Sequence, residues 1–275
     1  MKRIFLLTGL CALMSIGANA QTLAVFQPGQ LAVFQEGSGG TNRCQPYGAV
    51  TGITNYNADD LFGSRQNAIF IGQFDPNGIN QTNPSIRVAV PTNGFSAMFV
   101  NGNAGTEGYM TLADDRSVLT FAGYAGDILS VTTGGQTAPS NLSYDRAVAT
   151  VDAFTNLTTV YRGTKWYGTA TGKTNPRGVG TDGAGHFWGC GNGYGSIYYD
   201  ATTADDPIQF QSIALTSCSR VQNHKLFTSV KASESVNLYP AGIYTLVDFF
   251  NNPAPLPNFA SFLSIYLQAQ TPWTN

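Results

Sequence analysis

The sequence predicts an almost wholly β chain, and three observations predict it. Apolar and β-branched runs of five to eight residues recur, bounded by Gly, Asn, Asp or Pro. Turn residues return about every 8–12 positions, the spacing of a sandwich, barrel or propeller. After residue 20 no segment keeps a helical apolar period, and only 58–62 (ADDLF) reads as a single helical turn.

The elements follow in order. Residues 1–20 read as an export signal: Lys2 and Arg3, an apolar stretch over 4–16, and the small-x-small site Ala18-Asn19-Ala20. A membrane anchor is the less favoured reading, because the stretch is short and no second apolar run follows. The mature chain is then 21–275, one β domain. Predicted strands lie at 31–35, 68–74, 86–90, 97–100, 117–124, 147–152 and 158–162. Later ones lie at 186–190, 196–200, 208–215, 225–230, 243–250 and 259–267. The pentapeptide LAVFQ occurs at 23–27 and again at 31–35, which reads as a local duplication or a tight hairpin across Pro28-Gly29.

A longer repeat narrows the architecture. Strand, turn, strand and Gly recur from Glu107, from Arg177 and, with a shorter turn, from Arg220. A further strand follows each unit, at 128–132, 196–200 and 243–247. Recurrent units of this kind point to four-stranded propeller blades. About four are expected: 23–91 without an innermost strand, 95–136 with 147–162 as outer strands or part of a neighbour, 175–215 and 218–267. The set reads either as a closed small ring or as the N-terminal part of a larger propeller.

The segments LAVFQ, TEGYMTLADDRSVLTFAGYAG, NPRGVGTDGAGHFWGCGNGYG and SRVQNHKLFTSV stand in this order along the chain. They resemble a family of secreted bacterial β-propellers, with segments of the types LVVxR, SEGxLTxSxDGRYLxLAGYD, NxRxxxxxDGxxFWxSGxxG and TRxVxxxxGxLYxSS. The resemblance covers roughly 23–250 and departs from the pattern at 59–62 and at the early end after Trp273. It implies a fold and no particular reaction.

Charge excludes some functions. Removing Lys2 and Arg3 from the 14 basic side chains leaves 12 against 16 acidic ones, with no basic patch for nucleic acid. Apart from the first twenty residues, no apolar run is long enough to span a membrane. An aromatic content of 12% excludes a disordered chain. Three cysteines follow the signal: Cys44, Cys190 and Cys218. In an oxidising compartment they fit either a Cys190–Cys218 disulfide with Cys44 unpaired or three partly buried thiols. No C-x-x-C and no D-x-D-x-D-G loop is present, so no metal and no cofactor are expected.

Candidate site residues come from the repeat. Glu107, Arg177 and Arg220 share a place just before the first strand of each unit, which in a propeller lines the central channel. Together they would hold a carboxylated or hydroxyl-rich ligand, or else form an internal ion-pair network, which is the preferred reading. Trp166, expected to be exposed after a short charged loop, and Trp188 are candidates for stacking on sugar rings. Phe187 and Tyr198 read as packing residues. Asp114-Asp115, Asp182-Gly183 and Asp205-Asp206 read as turn formers rather than catalytic pairs. No G-x-S-x-G elbow, phosphate loop or dinucleotide fingerprint occurs.

The expectation is a secreted, periplasmic or cell-surface module, non-enzymatic, binding a glycan or a surface protein at one face. The alternatives are a carbohydrate-active enzyme, hydrolase or lyase, with its site at the channel mouth, and a purely structural surface module.

Overall fold

The apolar runs form strands in the structure, a computed structural model. It describes residues 25–37, 66–78, 84–101, 107–128, 144–167, 175–191, 196–211, 216–223, 225–230, 242–246 and 266–267. The signal segment, Cys44 and the 58–62 turn lie outside these residues. Among the described residues the first strands are β1 (Leu31–Glu36), β2 (Gln66–Phe74), β3 (Ile86–Ala89), β4 (Met98–Asn101) and β5 (Thr111–Leu112). Next come β6 (Val118–Ala125), β7 (Asp145–Asp152), β8 (Leu157–Gly163), β9 (Pro176–Thr181), β10 (His186–Gly191) and β11 (Ser196–Asp200). The last are β12 (Ile208–Gln211), β13 (Thr216–Gln222), β14 (Lys225–Val230), β15 (Gly242–Leu246) and β16 (Tyr266–Leu267). No helix occurs among the described residues, so none is long and apolar enough to cross a membrane.

Among the described residues all strand ladders are antiparallel and build three sheets. Eight strands join in the order β1-β2-β4-β6-β7-β8, with β3 also on β2 and β5 also on β6. Strands β9 to β12 form a meander, and β13 to β16 another. Strands β4 and β5 lie along the same edge of β6, Phe99 opposite Tyr124 and Thr111 opposite Thr120. They act as one interrupted strand, with Glu107 at the break. Two expected details differ. Residues 25–27 of the first LAVFQ copy are not a strand; a turn at 28–29 separates them from β1. The strand that completes the unit after β6 is β7, Ile128 being irregular and 129–132 lying outside the described residues.

Alternation then decides the packing, because successive strand residues face opposite sides. On β6 and β7, Phe121, Ala125, Ala147, Ala149 and Val151 face a core shared with Ile69, Ile71 and Val88 of β2 and β3. Ala122 and Val148 face the other way, into a core shared with Val179, Phe187 and Ile197 of β9 to β11. The β6–β7 ladder is therefore covered on both faces. Each large apolar side chain so enclosed is worth about 1.5–3 kcal/mol.

The glycines of β9 follow from the next contact. A Cβ on Gly180 would stand 2.9 Å from the Ser219 carbonyl oxygen and 3.1 Å from Arg220 Cα, so β13 presses directly on β9. Strand β5 lies on the other side of β9, Tyr109 forming a parallel bridge to Gly178. The turns of three hairpins meet: the Asp114 N–H donates to Thr181 O at 3.1 Å, and the Asn223 N–H donates to Asp114 Oδ1 at 2.6 Å. Asp115 and Asp182 accept backbone N–H groups of Ser117 and Ala184, the ordinary work of turn aspartates.

Candidate functional site

Polar side chains gather where β4 breaks off and β5 begins. Gly108 has φ +79°, and a Cβ there would meet Phe34 at 2.6 Å. Only glycine allows this turn, which sets Glu107 inward, 9% exposed. Its Oε2 accepts the Asn101 N–H at 3.0 Å and its Oε1 accepts the Tyr124 hydroxyl at 2.7 Å. Asn175 Oδ1, just before β9, lies 3.2 Å from the same hydroxyl. Arg146 stands opposite Tyr124 in the β6–β7 ladder, wholly buried, its guanidinium 4.6 Å from the centre of the Tyr124 ring. It also donates to the Tyr144 carbonyl oxygen.

Burial dominates the electrostatics. It pushes the Glu107 carboxyl up to about 7, against the lowering effect of Tyr124 and Asn101, with a small further rise from Glu36. Glu36, at the end of β1 and half-buried, is likewise raised by burial, partly offset by a bond from Asn67. Burial also raises Tyr124 and lowers Arg146. The site can thus offer a protonatable carboxyl near neutral pH, a second acidic group and an arginine.

The sign for stability follows. The folded state keeps the Glu107 proton up to about pH 7, whereas the unfolded chain releases it near 4.5. The Glu107 contribution to stability is therefore greatest below pH 4.5, falls as pH rises through this window, and levels off above 7. Glu107→Gln is expected to remove much of that fall, about 2–3 kcal/mol between pH 5 and 8. Urea midpoints of both proteins at the two pH values check this, and equal slopes would refute it.

The residues expected from sequence part company. Arg177 is buried on β9, and its carbonyl oxygen accepts the Tyr109 N–H at 3.1 Å, so it belongs beside the Glu107 cluster. Arg220 does not share its register. It is exposed and fifth in β13, level with Gly180, three residues further along than Arg177, or about 10 Å. The short connection between β13 and β14, Gln222 standing opposite Lys225, is the reason: the hairpin is counted from its end, and a shorter connection moves Arg220 towards it.

Trp166 is wholly buried rather than exposed, packed on Gly189 and Tyr161 between the two sheets. Trp188 is 1% exposed, its ring 5.5 Å from that of Tyr198. Neither offers a free face for a sugar. Cys190 is buried with Sγ 3.3 Å from the Gly178 carbonyl oxygen, and the side chain of Cys218 lies outside the described residues.

Sequence reasoning missed Tyr124, Arg146, Asn101, Asn175, Glu36 and Tyr109. One signal was present: Arg146 directly precedes the apolar run AVATV, where a charge drawn into the core has to be paired. Tyr109 is 39% exposed, two residues from Glu107. Among the described residues no group of three or more His, Cys, Asp or Glu comes together as a metal set. No protein-family model matches the chain, and no curated protein matches it.

Proposed function

We propose that the chain is an exported, non-enzymatic binding module of β-propeller architecture that takes a glycan beside Glu107. One observation carries the reading: Tyr109, 39% exposed and bonded through its backbone to Arg177, lies two residues from Glu107, which with Tyr124 and the partly buried Asn175 forms a hydrogen-bonded polar set. An aromatic platform beside fixed polar groups suits a sugar, whose ring face is apolar and whose rim carries hydroxyls. The propeller is supported by sheets packed face to face in chain order, with β5, β9 and β13 side by side. Strand pairing among the described residues does not close a ring, so closure is part of the proposal. Export rests on the 1–20 leader and places the module in the periplasm, at the cell surface or outside the cell.

A glycan array followed by calorimetry tests the reading. Tyr109→Ala is expected to weaken binding at least tenfold, the scale of one lost stacking contact, with little change in melting temperature. Unaltered binding by this variant, or no glycan bound by the wild type, would sink it. The wild-type result alone leaves a surface-protein ligand or a structural role as the replacement.

A second reading is favoured by the raised carboxyls of Glu36 and Glu107. Glycoside hydrolysis uses a carboxyl raised towards neutrality as general acid, the part Glu107 would take, and a second carboxyl that ionises at lower pH as base or nucleophile, the part left to Glu36. Reducing-end release by the wild type and its loss in Glu107→Gln would establish that enzyme in place of the lectin-like module.

A further inference from the structure

Glu36, Asn67 and Glu107 come from three separated stretches of sequence, and the fold brings them together. Glu36 is opposite Ile69 in the β1–β2 ladder, and Asn67 is two residues from Ile69, so both side chains lie on one face of the sheet. Asn67 is opposite Val100 on β4, one residue before Asn101, whose N–H holds the Glu107 carboxylate. Tyr124 and Arg146 stand on the other face, since their β4 neighbour is Phe99 and not Val100. Glu107, at the break between β4 and β5, is the one member of the cluster that meets both faces.

Among the described residues no lysine, arginine or histidine forms an ion pair with Glu36. Asn67 Nδ2 donates to Glu36 Oε2 at 3.5 Å, the outer limit of a hydrogen bond. Arg146, on the other face of the sheet, favours the ionised form of Glu107. Asn67 is 1% exposed, and its side-chain oxygen has no partner. A buried acceptor left unmade costs about 1–3 kcal/mol, and a half-turn of this amide exchanges its oxygen with the Nδ2 that now meets Glu36 Oε2.

We infer that Glu36, Glu107 and the side-chain oxygen of Asn67 form a binding site for a calcium ion. The donors are all hard oxygens, which excludes a preference for zinc or copper. Two carboxylates supply the charge that balances a divalent cation. With the amide oxygen they offer up to five ligand atoms, and water completes the shell through the half-exposed side of Glu36. Calcium tolerates such an irregular shell, whereas magnesium demands near-octahedral geometry. The ion would also tie β1 and β2 to the β4–β5 break. The calcium site shares Glu107 with the proposed glycan site but needs no sugar for its test.

The test is calcium titration of the full exported chain after chelator treatment, by calorimetry and thermal melting, with no glycan present. The expected result is one saturable site with Kd about 0.1–1 mM, the range of extracellular modules. At 10 mM calcium the melting temperature should rise by about 3–10 °C. Asn67→Asp adds a third carboxylate and should tighten binding about tenfold; Glu36→Gln should weaken it by at least that factor. No saturable heat and no thermal shift in the wild type would overturn the site. So would an equal shift with magnesium, unchanged affinity in Glu36→Gln, or no tightening in Asn67→Asp, the variant that keeps the test decisive should Glu36→Gln fail to fold.

Discussion

Arg146→Ala is expected to cost about 3–5 kcal/mol, the loss seen when one member of a buried charged cluster is removed. Arg146 is wholly buried, and no water can replace what its guanidinium does. The substitution takes the cation from the Tyr124 ring, the donor from the Tyr144 carbonyl and the opposing charge from Glu107. It also leaves a cavity between β7 and the sheet it faces. Glu107 should respond by holding its proton to higher pH, because the lowering influence of Arg146 is gone. The loss in Arg146→Ala should therefore be smaller in a Glu107→Gln background, with a coupling of about 0.5–3 kcal/mol. Denaturant unfolding of the two single variants and the double variant measures it. Additive losses would show that Arg146 acts independently of Glu107, through Tyr124, Tyr144 and packing.

Trp166→Ala is the second large effect, about 3–5 kcal/mol, or a fall in melting temperature of roughly 10 °C. The indole is wholly enclosed, and the absence of a side chain at Gly189 is what makes room for it: a Cβ there would stand 2.4 Å from the ring. Tyr161 and Tyr167 close the other sides. Because neighbours on both sheets are held by their ladders, the space cannot collapse, which places the loss in the upper range for core truncation. Trp166→Phe should cost clearly less. Thermal melts of the three proteins check this. A loss below 1 kcal/mol in the alanine variant would mean that the ring does not bridge the sheets.

Much of the strand map was legible because its signals are local. The run 118–125 alternates between two cores, and 147–151 does the same, so a period of two is written in the residues themselves. The Asp and Gly turns at 114–115 and 182–183 likewise need only their own backbone. The site was less legible. Glu107 and Arg177 were found because they begin repeated hairpins, but the same count misplaced Arg220, where the hairpin turn is shorter. Tyr124 and Arg146 look like members of ordinary strands, and their pairing exists only through the β6–β7 register.

The amino-acid sequence by itself determined that the chain is β, where most strands begin and end, and which residues turn between them. These properties depend on alternation and on backbone preferences within a few residues. Tertiary structure alone decided that Trp166 is enclosed, that Arg220 stands apart from Arg177, and that Glu36, Asn67 and Glu107 share one place. Burial of a side chain depends on what covers its face, and meeting across strands depends on register. Both are set by residues far away in the chain, so no window of sequence contains them.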